Sequence, residues 1–173
     1  MKEQPKSIST LHDLLDHDIY RFISAEIHLK NKLPEWIHKA NTIKLKGVLQ
    51  RYLEFVAMNV TMLEQFFDQE KMNALQMKNR VMEAFILEVE DKMDRCSDLE
   101  VRDACLLECI QAINHFKISA YGSNAAFANA LGMESQAALF FQAEVREKQI
   151  DDRLSQLAEN EVNKIARAPI VLP

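Results

Sequence analysis

The sequence predicts an all-α protein, an antiparallel four-helix bundle with two additional helices. Three Gly and four Pro in 173 residues leave few breaks in regular structure, which favours long helices with short connections. Apolar residues recur every three or four positions along several long stretches, which is the period of a helix with one buried face. No stretch alternates apolar and polar residues as a strand does, so no sheet is expected.

Helix 1 begins at a capping box formed by Thr10 and Asp13, in which each side chain bonds the backbone of the other residue. Its apolar positions extend over residues 11–31. Pro34 is typical of the first position of a new helix. A separate short helical turn is therefore expected over residues 34–40.

Helices 2 and 3 are predicted over residues 43–70 and 74–95 from their apolar stripes. Ser97 and Glu100 then have the spacing of a second capping box, which opens helix 4. Gly122 is expected to close helix 4, because glycine readily adopts the left-handed conformation that ends a helix.

A short fifth helix is predicted over residues 124–131, ending at Gly132 by the same device. Helix 6 is predicted over residues 135–165. Helices 3 and 5 are then additions to four long helices. Residues 1–165 are expected to form a single bundle domain, and residues 166–173 a C-terminal tail.

Charge and composition exclude several classes of function. The net charge is −5 and the basic residues are scattered, so the sequence predicts no nucleic-acid-binding face. No apolar run approaches the roughly 20 residues that a membrane span needs. The three cysteines, Cys96, Cys105 and Cys109, are an odd number without paired spacing, which indicates reduced thiols packed in the core of a cytoplasmic protein.

Helix 4 carries polar groups in the middle of an otherwise apolar segment, at Asn114, His115 and Lys117. Helical bundles can hold metal ions through carboxylates and histidines that face each other across the core. Residues of these types lie on all four long helices: Glu26, Glu54, His115, and the helix 6 acids Glu144, Glu147 and Asp151.

Each of these residues also has a structural explanation. A glutamate beside an apolar stripe commonly keeps its carboxylate in water. A histidine such as His115 is more often a hydrogen-bonded core residue than a metal ligand. The helix 6 acids could form an outer face and pair with Lys148 or Arg153. No two of these residues form the tight Glu-x-x-His pair of such metal sites, so spacing alone favours solvated or hydrogen-bonded roles over a metal site.

Four stretches resemble the YciF-like family of bacterial ferritin-like bundles, which is also described as a domain of unknown function. The stretches cover nearly the whole chain in order: SAE at 24–26 with LP at 33–34, YLEFV at 52–56, EVRDA at 100–104 with His115 and Tyr121, and EKQID at 147–151. The resemblance implies a ferritin-like four-helix core with two further helices. It also implies a di-metal centre, a homodimer and a link to stress responses.

Five residues of this chain match acids or the histidine of the family's motifs: Glu26, Glu54, His115, Glu147 and Asp151. Three others depart from the motifs, because Phe55, Asn114 and Lys117 stand where the family has glutamates. Phe55 offers no ligand atom, and the charge of Lys117 would repel a metal ion strongly at low dielectric.

The leading prediction is therefore a ferritin-like bundle that has lost its di-metal centre, holds no cofactor and acts as a structural or binding protein. Lys117 would replace the metal by pairing with Glu26, Glu54 or Glu147, with Asn114 as a hydrogen-bond partner. The alternative is a metal-binding protein or oxidoreductase in which the five matching residues hold iron, manganese or zinc.

Overall fold

The computed structural model describes residues 7–69 and 78–167, and these ranges contain helices and no strand. The elements in chain order are α1 Leu11–Lys39, α2 Ile43–Gln69, α3 Arg80–Arg95, α4 Leu99–Ala130 and α5 Glu134–Leu157, then a π-helical turn Ala158–Val162 and a last turn α6 Asn163–Ala166. The predicted all-α class is confirmed.

The four long helices pack in the cyclic order α1, α2, α5, α4, and each runs antiparallel to its neighbours. Arg102 at the start of α4 donates a hydrogen bond of 3.0 Å to the carbonyl of Lys39 at the end of α1. Lys44 at the start of α2 pairs with Glu161, which follows α5. The predicted antiparallel four-helix bundle is therefore confirmed. The helix α3 lies outside it, against α1 and α4.

The first helix is longer than predicted, because α1 continues through Pro34 to Lys39. The predicted end near Asn31 and the separate turn at 34–40 are wrong. Proline removes one backbone hydrogen bond inside a helix, but Leu33 and Trp36 on either side are fully buried. Tertiary packing of these side chains outweighs the lost hydrogen bond. The capping box of Thr10 and Asp13 is present as predicted.

The fourth helix is also continuous, and α4 passes through Gly122 to Ala130. The predicted end at Gly122 and the separate helix 124–131 are wrong. Only Gly132 has a positive φ among the glycines, at 73°, and it ends α4 as predicted. The predicted capping box at Ser97 is replaced by Asp98, whose side chain accepts hydrogen bonds from the amides of Glu100 and Val101.

Two further predictions reach beyond the described residues. Of predicted helix 3, residues 74–77 lie outside the described part, and α3 begins later than expected, at Arg80 behind its cap Asn79. Predicted helix 6 corresponds to α5, the π-helical turn and α6, which follow one another without interruption to Ala166. Of the predicted tail, residues 168–173 lie outside the described part.

A buried carboxylate organises the turn between α1 and α2. Asp103 of α4 is almost fully buried and accepts hydrogen bonds of 2.7 Å from the amides of Asn41 and Thr42. These amides precede or open α2 and would otherwise lack a partner. Asp103 thereby fixes the start of α2 relative to α4. No described helix is long and apolar enough to span a membrane.

Candidate functional site

A buried lysine lies between two buried glutamates at the centre of the bundle. Lys117 of α4, Glu26 of α1 and Glu147 of α5 all have 0 % exposure. The Nζ of Lys117 lies 2.7 Å from Oε1 of Glu147 and 3.1 Å from Oε2 of Glu26. Charges attract strongly in such a low-dielectric interior. We call Glu26, Lys117 and Glu147 the buried triad.

Amide and hydroxyl groups complete the polar surroundings of the buried triad. Asn59 of α2 donates from Nδ2 to Glu147 at 3.1 Å and to Glu26 at 3.3 Å. Asn114 donates to Oε2 of Glu147 at 2.8 Å. Asn59 lies on α2, and the triad residues lie on α1, α4 and α5. All four helices of the bundle therefore meet at the triad. Such bonds offset part of the cost of burying charged groups.

Two tyrosines enclose the buried triad. The hydroxyl of Tyr121 donates to Oε1 of Glu26 at 2.5 Å, and the Nζ of Lys117 lies 4.6 Å from the centre of the Tyr52 ring. Burial, reinforced by the two glutamates, raises the pKa of both tyrosine hydroxyls well above its ordinary value. Tyr121 therefore stays protonated and donates to Glu26, while the face of Tyr52 attracts the ammonium group.

The electrostatic balance of the buried triad differs between its two acids. Burial raises the pKa of Glu26 from its ordinary value of 4.5, and the attraction of Lys117 only partly opposes this, with the charge of Glu147 raising the pKa further. Two carboxylates share a single ammonium group, and Lys117 lies closer to Glu147 than to Glu26. Two carboxylates and one ammonium group leave one excess negative charge at the triad, and a proton on Glu26 would remove it.

The helical repeat of α4 places the side chains that contribute to this site. Asn114, Lys117 and Tyr121 are spaced i, i+3 and i+7, so they project from one face. Ile110 and Ile113 extend the same buried side of the helix. The polar residues in the middle of α4 therefore point into the bundle, with the exception of His115.

His115, Glu54 and Asp151 lie outside the buried triad, although the sequence grouped them with Glu26 and Glu147. The His115 side chain is 63 % exposed, and its Nε2 lies 2.9 Å from Oδ1 of Asp151. Glu54 is 52 % exposed and pairs with Arg51 on the surface of α2. The expectation of a core histidine is wrong, and so is the expectation that Glu54 could pair with Lys117. Asp151 also accepts a hydrogen bond from Gln111 at 3.2 Å.

The sequence did not predict the buried Asn59 or its contact with Arg146. Asn59 has 0 % exposure, and its Oδ1 accepts a hydrogen bond of 3.0 Å from Nη2 of Arg146. Arg146 is only partly buried, so it connects the interior to the surface. Asn59 follows Val56 by three residues and precedes Leu63 by four, which is the register of the apolar stripe. A polar residue in that register was the signal that could have identified it.

The residues at the centre of the bundle do not fit a di-metal centre. A pair of divalent ions needs several carboxylates, whereas only Glu26 and Glu147 reach this point and Lys117 places a cation between them. Phe55 is buried with its ring under the Arg51 guanidinium, at 4.5 Å. Across residues 7–69 and 78–167, no three His, Cys, Asp or Glu side chains are placed to share a metal ion.

The buried triad is also closed to substrates. Neither the cavity between α1, α3 and α4 nor the groove between α2 and α5 is lined by Glu26, Lys117 or Glu147. The three side chains together expose no surface to solvent. A polar cluster that no small molecule can reach can organise a core, but it does not form a reaction site.

The cysteines form no disulfide, and Cys109 is buried as predicted. Burial, reinforced by Cys109 and Cys96, raises the pKa of Cys105 to about 12. The reactive form of cysteine is the thiolate, so Cys105 is a poor nucleophile. These side chains therefore contribute packing between α3 and α4.

The chain matches known proteins along almost its entire length. Residues 10–167 match the family described as a domain of unknown function, DUF892. Protein YciF of Escherichia coli strain K12 is 30 % identical over 161 residues, which are 92 % of this chain and 97 % of that protein.

Two solved structures share the fold. The crystal structure of the E. coli stress protein YciF superposes with a TM-score of 0.84 at 29 % identity, covering 91 % of this chain and 99 % of that one. YcfI of Rhodopseudomonas palustris, provisionally described as a structural protein, gives a TM-score of 0.83 at 25 % identity, with 88 % and 97 % covered. This chain therefore belongs to the DUF892 family and is a relative of the YciF proteins.

Proposed function

We propose that this protein is a ferritin-like bundle in which the buried triad stands in place of a di-metal centre. It acts as a structural or binding protein and catalyses no redox reaction. The observation that carries the proposal is the position of Lys117, whose ammonium group lies within 3.1 Å of Glu26 and 2.7 Å of Glu147. The Lys117 side chain pairs at this point with the same carboxylates that would otherwise coordinate metal ions.

The geometry does not favour the alternative of a metal site that uses the reduced ligand set. Glu54 and His115 lie on the surface, and each is paired with another charged or titratable side chain. A mononuclear iron, manganese or zinc site needs ligands that converge on one point at about 2.0–2.2 Å. The five residues that matched the family's motifs are instead distributed between the core and the surface.

The biological setting of the proposal follows the relatives. The E. coli relative is described as a stress protein, and we extend a stress-related role in the cytoplasm to this chain.

The partner that we propose is a second copy of the chain. Met58 of α2 and Leu139 of α5 are exposed large apolar side chains, and both line a shallow groove between these helices. Association of two copies would remove this surface from water.

Metal analysis tests the proposal directly. The protein is purified without chelator and its metal content is measured. It is then offered ferrous iron, manganese and zinc, and its thermal unfolding is followed. We expect metal far below one ion per chain and no thermal shift. Near-stoichiometric metal, together with a thermal shift that Glu26→Gln abolishes, contradicts the proposal.

The dimer has its own test. Light scattering coupled to size-exclusion chromatography gives the mass in solution, and we expect twice the chain mass of 20.0 kDa. Met58→Glu should return the monomer mass, because it places a charge in an apolar contact. The matched control is Leu87→Glu, an exposed apolar residue on α3, which should leave the dimer intact. A monomeric wild-type protein contradicts this part of the proposal.

A further inference from the structure

A cavity of about 250 Å³ lies between α1, the start of α3 and α4. It is separate from the buried triad, and its wall includes Phe22, which packs edge-on against Tyr121 at 4.8 Å between ring centres. Ligand sites in proteins typically measure about 300–1,000 Å³. This cavity is smaller, so it suits a molecule the size of one ring or a short chain.

One buried amide inside the cavity has no partner. Asn124 of α4 lines the cavity and is 2 % exposed. Its side chain makes no hydrogen bond with any residue that the structure describes. Asn124 is not among the fully enclosed polar groups that lack a hydrogen-bond partner, which fits an amide that opens onto the cavity. The side chain therefore presents an unused donor and acceptor to whatever occupies the cavity.

An arginine without a carboxylate partner among the described residues lines the same cavity. Arg21 lines it, and no carboxylate in the described part of the chain forms an ion pair with its guanidinium. The nearest acid along the helix, Asp18, lies against His17 at 3.2 Å. An arginine without a carboxylate partner can accept a bidentate carboxylate from a ligand.

The start of α3 faces the same space. Asn79 and Val81 line the cavity. The Asn79 side chain accepts a hydrogen bond from the amide of Met82 and donates one of 3.1 Å to the carbonyl of Arg21. The amides of Arg80 and Val81 precede that of Met82 and have no acceptor among the described residues. Free amides at the positive end of a helix bind anions. The side chain of Asn124, which lines the same cavity without a hydrogen-bond partner, supports a ligand site independently of these amides.

The remaining walls set the size and charge of the ligand. Phe22 and Phe116 form an aromatic wall, with ring centres 6.0 Å apart. The half-exposed carboxylate of Asp18 also lines the cavity, so it repels a doubly charged anion more than a singly charged one. A single negative charge joined to an apolar body matches these surroundings.

We propose that this cavity binds a small organic monoanion, of the class of aromatic and short-chain carboxylates. The carboxylate lies at Arg21 and the first turn of α3, and the apolar body packs on Phe22 and Phe116. Asn124 pairs with a polar substituent of the ligand. The site is independent of the buried triad and gives the family fold a ligand-binding role that the proposed structural function does not include.

Calorimetric titration of the full chain at low ionic strength tests the site. The probes are benzoate, its neutral analogue benzyl alcohol, and inorganic phosphate. Arg21→Gln removes the charge, and Ser123→Phe fills the mouth of the cavity from an exposed position that lines it. Lys30→Gln is the matched control on α1. It removes the same charge from an exposed site about 14 Å further along the helix, beyond the range of screened charges.

We expect benzoate to bind, with an affinity that Arg21→Gln and Ser123→Phe each lower about tenfold or more and that Lys30→Gln leaves unchanged. Benzyl alcohol and phosphate should bind much more weakly, because benzyl alcohol lacks the negative charge and phosphate lacks the apolar ring. The proposal is overturned if benzoate does not bind. It is also overturned if phosphate binds as tightly as benzoate, or if the wild type and a folded Arg21→Gln variant bind benzoate equally. Circular dichroism and thermal unfolding establish that each variant is folded.

Discussion

Lys117 and Glu147 face each other at the centre of the bundle, with 2.7 Å between Nζ and Oε1 and neither side chain exposed to solvent. Glu26 shares the same ammonium group at 3.1 Å. Because the three residues lie on α4, α5 and α1, the pairing links three helices at one point. A cluster of this kind specifies how the helices align, since a shift of one helix would leave a buried charge without its partner.

Truncation of Lys117 should strongly destabilise the fold. Lys117→Ala leaves Glu26 and Glu147 buried, close together and without a counter-charge. Removal of one partner from a buried ion pair typically costs about 3–5 kcal/mol. We expect a loss of that size in the free energy of unfolding, measured by urea denaturation with circular dichroism.

Lys148→Ala is the matched control for Lys117→Ala. Lys148 pairs with Glu144 at 2.6 Å on the same helix, but its side chain is 56 % exposed. Exposed ion pairs contribute about 0–1 kcal/mol. Similar losses for the two variants would show that Lys117 is solvated in solution, and the buried triad would then be absent.

Glu26 should make stability fall as pH rises. Burial raises its pKa in the folded protein above the ordinary value of 4.5 that applies to the unfolded chain. Between these two pKa values the folded state binds more protons than the unfolded state, so stability decreases with increasing pH. The contribution of Glu26 is fully present below 4.5 and is lost as pH passes through the raised pKa.

The difference between wild type and Glu26→Gln isolates this effect. Glutamine keeps an acceptor for the hydroxyl of Tyr121 but does not titrate. The free energy of unfolding of both proteins is measured by urea denaturation from pH 4.5 to pH 8. We expect the wild type to lose stability relative to the variant as pH increases. A difference that stays constant, or that changes in the opposite direction, contradicts a raised pKa at Glu26.

The sequence predicted the chemistry of the centre better than its geometry. Lys117 was expected to pair with carboxylates, and two of its three candidate partners lie beside it. Glu54 and His115 were proposed from their residue types and from similarity of motif, without regard to helical register. His115 follows Asn114 by one residue, so the two side chains point about 100° apart around the helix axis. Asn114 faces the core, and His115 therefore faces solvent.

The helix boundaries show what local sequence signals leave undetermined. Pro34 and Gly122 both lie inside long helices, although each residue type commonly marks a helix end. Long-range packing decides such cases. Leu33 and Trp36 hold the end of α1 in the core, whereas a local reading of the sequence contains no information about their partners on other helices.

Added carboxylates should convert the buried triad into a metal site. The double variant Asn114→Glu, Lys117→Glu removes the cation and gives the centre four acids, with Glu26 and Glu147. Four carboxylates on facing helices resemble the ligand sets of di-metal bundles. We expect low stability without metal and a marked rise in the thermal midpoint with manganese or zinc, after refolding in the presence of the ion.

The control for the metal design is Asn114→Leu, Lys117→Met, which removes the same polar groups without adding ligands. It should show no response to metal. If the acidic double variant is folded and also shows no metal-dependent shift, the centre of this bundle is not arranged like a di-metal site, and the proposed relation of the buried triad to such a centre fails.

Alanine at two glycines should have opposite effects on stability. Gly122 lies inside α4 without a positive φ, and a Cβ there would meet the Glu144 carboxyl group at 3.4 Å, an ordinary contact. Gly122→Ala should therefore stabilise the protein by about 0.5–1 kcal/mol, through the higher helix propensity of alanine. Gly132 has a φ of 73°, which costs an alanine about 1–2 kcal/mol. Thermal unfolding of both variants provides the comparison, and a destabilising Gly122→Ala would instead indicate that α4 ends at Gly122 in solution.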